Sequence, residues 1–198
     1  MEGCGKSTQS RQLYRRLVRL AVPVLLTHEP GGSALGQRIA RLLKWSGETP
    51  ISPLAELLLF NASRAQLVRQ VIRPTLGEGQ VVICDRYADS TMAYQGYGRG
   101  LDLEMIKSVN AAATGGLAPD LTVLLDMPGE AGLKRKGREK LDRFHAEPAA
   151  FHRRVREGYL KMSKEGPSRW LVIDAGQDKE KIAAIIWQKV SKLLPRYR

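Results

Sequence analysis

Four short apolar runs, at residues 22–27, 81–84, 121–125 and 170–173, constrain this chain more than any other feature. Each is too short for a buried helix, and the segments between them carry helical periodicity instead. Leu13, Leu17, Val18 and Leu20 mark one buried face of a helix over 8–20, and further helices are predicted over 35–43, 53–72, 101–113, 151–162 and 179–194. Pro53 suits the first turn of its helix, whereas Pro74 is expected to stop that helix. Strands alternating with helices imply an α/β fold with a parallel sheet flanked by helices on both faces. The continuously apolar Val81, Val82, Ile83 and Cys84 read as a strand covered on both sides. Ligands of such sheets bind at the carboxyl ends of the strands, where Asp85, Asp126 and Asp174 stand.

The 198 residues, 43% of them hydrophobic, suffice for one domain with a sizeable core. A formal charge of +12, from 32 Lys and Arg against 20 Asp and Glu, suits anionic ligands. The basic residues follow no nucleic-acid-reading pattern, so no specific nucleic-acid partner is expected. Glu2 and Lys6 stand where a secretory leader would be apolar, and no run approaches the roughly 18 apolar residues of a membrane span. A cytoplasmic protein without a membrane partner is therefore expected. Cys4 and Cys84 have neither the spacing nor the context of a disulfide or a metal cage, and His145 and His152 lack a third ligand at a metal spacing.

Gly3-Cys4-Gly5-Lys6-Ser7-Thr8 is the latter part of a G-x-x-x-x-G-K-[ST] loop. Successive backbone N–H groups there cradle phosphate, Lys6 reaches the outer phosphates, and Ser7 ligates Mg²⁺. The loop opens an amphipathic helix whose N-terminal dipole also favours phosphate. ATP and Mg²⁺ are the cofactors this chemistry implies. The pattern's first glycine would fall before Met1, and so would the strand that aims the loop.

The loop does not stand alone. Glu29-Pro30-Gly31-Gly32, Leu58-Leu59-Phe60 with Arg64, Asp85-Arg86-Tyr87-Ala88-Asp89-Ser90, Ala93-Tyr94-Gln95-Gly96, residues 116–121, Asp142-Arg143 and Ile173-Asp174-Ala175 follow it in order. Together these stretches make the chain resemble bacterial thymidylate kinase over essentially its whole length. The resemblance implies the P-loop nucleoside-monophosphate kinase fold, with its first central strand absent from this sequence. It also implies transfer of the terminal phosphate of ATP to dTMP, a need for Mg²⁺, and a homodimer. A kinase for another nucleoside monophosphate, or a non-catalytic P-loop domain binding nucleic acid or a protein partner, would share the loop but not the whole set.

Phe60 and Arg64, four residues apart, project from one helical face, which suits either a core aromatic beside a solvated arginine or a base-binding pair. The resemblance selects the second: Phe60 stacks on thymine and Arg64 reads its oxygen. It places Arg86 on the acceptor phosphate, Asp85 beside Mg²⁺, Glu29 near the acceptor sugar and magnesium, Ser90 and Gln95 on the base side, and Tyr94 against the sugar where a 2′-hydroxyl would protrude. Residues 134–147 resemble a mobile lid, with Arg138 and Arg143 supplying charge to the transferred phosphoryl. Lys6, Asp85, Arg86, Arg138 and Arg143 are thus the expected catalytic set, with Ser7 and Asp85 on the metal. The chain departs from the family at Ala40, where an acceptor-phosphate arginine is usual, and at His28. Arg38 and Arg41 flank Ala40 but do not share its helical direction.

Overall fold

The computed structural model describes residues 3–45, 50–128 and 143–194. Helix α1 (Lys6–Arg19) follows the glycine loop and leads to strand β1 (Val24–His28). Helix α2 (Ala34–Lys44) starts where the Ser33 hydroxyl accepts the Gly36 N–H at 3.0 Å, and α3 (Pro53–Leu67) is capped in the same way by Ser52. The helix predicted over 53–72 does not stop before Pro74. It widens into a π-helical turn at Val68–Ile72 and resumes as α4 (Arg73–Gly77). Pro74 has no N–H to leave unpaired in this new first turn, and the Thr75 hydroxyl donates to the Val71 carbonyl at 2.7 Å.

Strand β2 (Val81–Asp85) is followed by the short α5 (Ala88–Thr91), a second π-helical segment (Met92–Gly98) and α6 (Leu103–Thr114). Strand β3 (Thr122–Asp126), α7 (Ala149–Glu165), β4 (Trp170–Asp174) and α8 (Lys179–Leu193) complete the described chain. Strands β1 and β2 pair in parallel from Val24 opposite Val81 to His28 opposite Asp85. Strands β3 and β4 pair likewise, from Thr122 opposite Trp170 to Asp126 opposite Asp174. The expected α/β architecture of parallel strands flanked by helices is therefore present. Among the described residues the two pairs are not hydrogen-bonded to each other. Each strand has one ladder neighbour, and all of β2 is half-buried rather than covered on both faces as its sequence suggests.

The main core joins β3 and β4 to α7, α8 and the second π segment through Leu124, Leu125, Phe151, Tyr159, Trp170 and Ile186. Tyr94 meets Phe151 edge-on at 6.0 Å and Tyr159 at 6.4 Å between ring centroids, the geometry that aromatic quadrupoles favour. Close approach of α7 to the π segment depends on two glycines. A Cβ at Gly98 would lie 2.7 Å from the Phe151 ring, and one at Gly158 would clash with the Tyr97 ring. The contact fixes Tyr94 and Gln95 relative to the strand ends.

Gly158→Ala should therefore force Tyr97 off its rotamer and cost about 1–3 kcal/mol, read as a lower midpoint in urea with an unchanged slope. An unchanged midpoint would show that this interface yields.

Candidate active site

The glycine loop holds Gly3 at φ 66° and Gly5 at φ 87°, left-handed values that favour glycine. No atom lies within 4 Å of a Cβ built on Gly5, so conformation rather than crowding requires glycine there. Gly5 caps α1, and its carbonyl accepts the N–H groups of Thr8 and Gln9 at 3.1 and 3.0 Å. Cys4 is buried beneath the loop in the main core. The Ser7 hydroxyl donates to Asp85 Oδ2 at 2.6 Å across 78 residues of sequence. The two residues expected at the metal thus meet, because α1 packs over β1 and β2. The other strand-end aspartates do not join them: Asp126 is held by both arms of Arg156 at 2.8 Å, and Asp174 accepts the Gly176 N–H at 2.8 Å.

Beyond Asp85 the chain turns through Arg86, whose φ of 72° is uncommon for a side-chain-bearing residue and marks local strain. Its guanidinium lies 5.1 Å from the centre of the Tyr94 ring, and Nη2 donates to the Tyr94 hydroxyl at 3.3 Å. Both line a cleft between α2, α3 and the π segment, with Glu29, Lys44, Phe60 and Arg64 among its walls. The Ser90 hydroxyl, also in the wall, accepts from Tyr159 at 2.9 Å.

Arg64 is not the solvated residue that spacing allows, for it is 1% exposed. Its Nε donates to Glu29 Oε2 at 2.7 Å, Nη1 to Asn110 and Asn61 at 2.7 and 3.2 Å, and Nη2 to Thr91 at 2.8 Å. Among the described residues, four of its five N–H groups are committed to the protein. Glu29 is joined to Pro30 by a cis peptide bond, and its Oε1 is buried without a hydrogen-bond partner among the described residues. Burial pushes the Glu29 carboxyl up to about 7, against the pull of Arg64.

Phe60 is half-buried, its ring 5.8 Å from Phe144, and Phe144 is 6.1 Å from Tyr94. Gln95 donates to Glu56 Oε1 at 2.7 Å. Glu56, fully buried in the first turn of α3, also receives Arg99 at 3.1 Å and Arg143 at 2.5 Å on Oε2. Arg99 reaches on to Glu147 at 2.6 Å. Arg143, expected to face the transferred phosphoryl, ties its segment to α3 in this structure, because a buried carboxylate draws cations from every element that can reach it. Arg143 Nε further donates to the Leu43 carbonyl at 3.3 Å. Arg138 lies outside the described residues, as does most of the expected lid at 134–147.

Sequence reasoning missed Lys44, Glu56, Thr91, Asn110, Phe144 and Tyr159. Asn61, one turn before Arg64 on its own helix, offered a signal of a polar face turned inward. Glu56 and Asn110 offered none, since their partners come from distant elements.

Comparison with known proteins fits this geometry. A family model described as Thymidylate kinase matches residues 1–186. The chain is 57% identical to thymidylate kinase of Dehalococcoides mccartyi strain CBDB1 over 193 residues, covering 98% of this chain and 93% of that protein. It is 47% identical to thymidylate kinase of Deinococcus radiodurans, covering 96% and 93% respectively. The crystal structure of thymidylate kinase from Ehrlichia chaffeensis superimposes with a TM-score of 0.78 at 32% identity, covering 96% of this chain and 94% of that one.

A carboxyl raised from 4.5 to about 7 favours the protonated fold. Its stabilisation is complete below pH 4.5 and is lost as pH rises through about 7. Glu29→Gln, which stays neutral, should remove that loss, on the order of 3 kcal/mol, from urea unfolding measured across this range. Parallel pH profiles for the two proteins would contradict it.

Proposed function

The chain belongs to the thymidylate kinase family, and on that premise we propose that its cleft takes dTMP while the loop at α1 takes Mg-ATP. The enzyme phosphorylates dTMP to dTDP with ATP. The observation that carries the site assignment is the Ser7–Asp85 hydrogen bond, which joins the phosphate loop to the strand end from which Arg86 enters the cleft.

In this reading an oxygen of the dTMP phosphate attacks the γ-phosphorus of ATP. A bond forms to the incoming oxygen, the bond to the β–γ bridging oxygen breaks, and ADP leaves with that oxygen's negative charge. The nucleophile is already anionic, so catalysis rests on alignment and on charge placed where charge develops. Lys6 and the N-terminal amides of α1 face the ATP phosphates, with Gly3, Cys4, Gly5 and Thr8 shaping the cradle. Arg86 orients the acceptor phosphate. Phe60 stacks on the thymine, with Arg64, Ser90 and Gln95 on its edge. The buried Tyr94 ring closes the space beside C2′, where a ribose hydroxyl would lose its water without gaining a partner.

The oxygens of Ser7 and Asp85 suit Mg²⁺, which takes one or two protein oxygens and fills its other positions with water and phosphate. Bound there with ATP, the ion would neutralise phosphate charge and hold the two outer phosphates in register. Homodimerisation and a cytoplasmic location belong to the same proposal. Leu35, Leu42 and Trp45 at α2, with Leu54 and Leu58 on the adjoining α3, leave apolar surface exposed that a second copy would cover.

ADP release measured with dTMP, dUMP, dCMP, dGMP and AMP as acceptors tests the assignment directly. Turnover should be greatest with dTMP. Phe60→Ala should raise KM for dTMP about 10-fold or more with little change for ATP, and Ser7→Ala should lower kcat on the order of 10²-fold. Equal activity on all acceptors, or a Phe60→Ala protein that still prefers dTMP as strongly, would sink the pocket assignment.

A further inference from the structure

We infer that Lys44 is the second cation on the acceptor's phosphate, a role that rests on the reading of the cleft as the dTMP site. A nucleoside monophosphate carries close to two negative charges at neutral pH, more than one guanidinium offsets. Among the described residues three cations line the cleft: Arg64, Arg86 and Lys44. Arg64 is balanced by Glu29 and has four donors committed to the protein. Arg86 is the first phosphate cation. The Lys44 ammonium makes no hydrogen bond or ion pair to another described residue, so its charge stands uncommitted in the wall.

Helix geometry aims it at the phosphate end. Lys44 closes α2, and Ala40 lies one turn earlier on the same face. Helical side chains lean toward the N-terminus, so a long residue covers the turn before its own Cα. Four residues rise about 6 Å, close to the reach of an extended lysine. The Ala40 methyl is 3.8 Å from the position a Cβ would take on Gly31, which places it beside the Glu29–Gly32 turn. That turn is tied to the acceptor strand, since the Glu29 N–H donates to the Asp85 carbonyl at 3.0 Å. A lysine stem laid over so small a residue delivers its ammonium toward Asp85 and Arg86. The helix end that carries it is itself held, for the Lys44 carbonyl accepts the Arg143 N–H at 3.4 Å and the Leu43 carbonyl accepts Arg143 Nε at 3.3 Å. Arg38 and Arg41 are exposed and do not line the cleft.

Calorimetric titration of dTMP and of thymidine, which lacks the phosphate, separates this role from general packing. Lys44→Ala should weaken dTMP at least 10-fold and thymidine less than 2-fold, and Arg41→Ala should change neither. Adding Ala40→Arg to Lys44→Ala should recover most of the dTMP affinity by supplying a cation from the same face. An unchanged dTMP affinity in Lys44→Ala, or an equal loss for thymidine, would overturn the inference while leaving the cleft as the dTMP site. Failure of the unaltered protein to bind dTMP would overturn both.

Discussion

A buried guanidinium holds the acceptor half of this molecule together. Arg64 projects from α3 and binds Glu29 beyond β1, Thr91 in α5 and Asn110 in α6, so one side chain fixes four elements around the cleft. Removing an ion pair's two charges from water costs several kcal/mol each, and their attraction offsets this only when the remaining donors are also satisfied. Asn61, Asn110 and Thr91 supply that satisfaction. Deleting Arg64 would leave the buried Glu29 carboxyl without its cation and the surrounding acceptors without their shared donor, at a cost of about 3–5 kcal/mol. Such a knot adds little net stability over apolar packing. What it confers is geometry: the planar fork donates to its partners in one arrangement, and that arrangement sets the Glu29 turn, whose N–H donates to the Asp85 carbonyl at 3.0 Å.

Glu56 plays the complementary part in the first turn of the same helix. It draws Gln95 and Arg99 from the π-helical region, and Arg143 from the segment carrying Phe144, to one point in the first turn of α3. Helix α3 therefore carries both polar anchors, with Phe60 between them in sequence. The walls of the cleft are organised from the same helix that presents its aromatic floor. Pre-formed in this way, the site can put binding energy into aligning the two phosphates rather than into ordering its own side chains.

The parallel strands and long helices were legible in the sequence because each follows from local period: apolar runs for the strands, and stripes such as Leu13 and Leu17 for α1. The meeting of Ser7 with Asp85 was legible too, since loop and strand end are both marked by residue type. The π-helical turns were not. A bond from i to i+5 leaves no compositional trace, and Pro74 reads as a stop when the wider turn lets the chain continue. Spacing alone would have left Arg64 at the surface, and the charge run ending at Arg143 looked like free cations. Their partners Glu29, Asn110 and Glu56 lie far away along the chain, so only the folded arrangement reveals that these arginines are bound. Lys44 escaped notice for a related reason: it sits one turn beyond the departure at Ala40, and its direction matters only once α2 is placed against the Glu29 turn.

The claim on which everything else depends is that Glu29 and Arg64 act as one unit in shaping the acceptor site. A double-mutant cycle with Glu29→Gln, Arg64→Lys and the pair, read as dTMP affinity, measures this directly. Strong coupling is predicted, with the double variant binding dTMP little worse than the weaker of the two single variants, because either change alone already breaks the unit. Losses that simply add would contradict the account, for they would mean that each residue serves dTMP independently of the other.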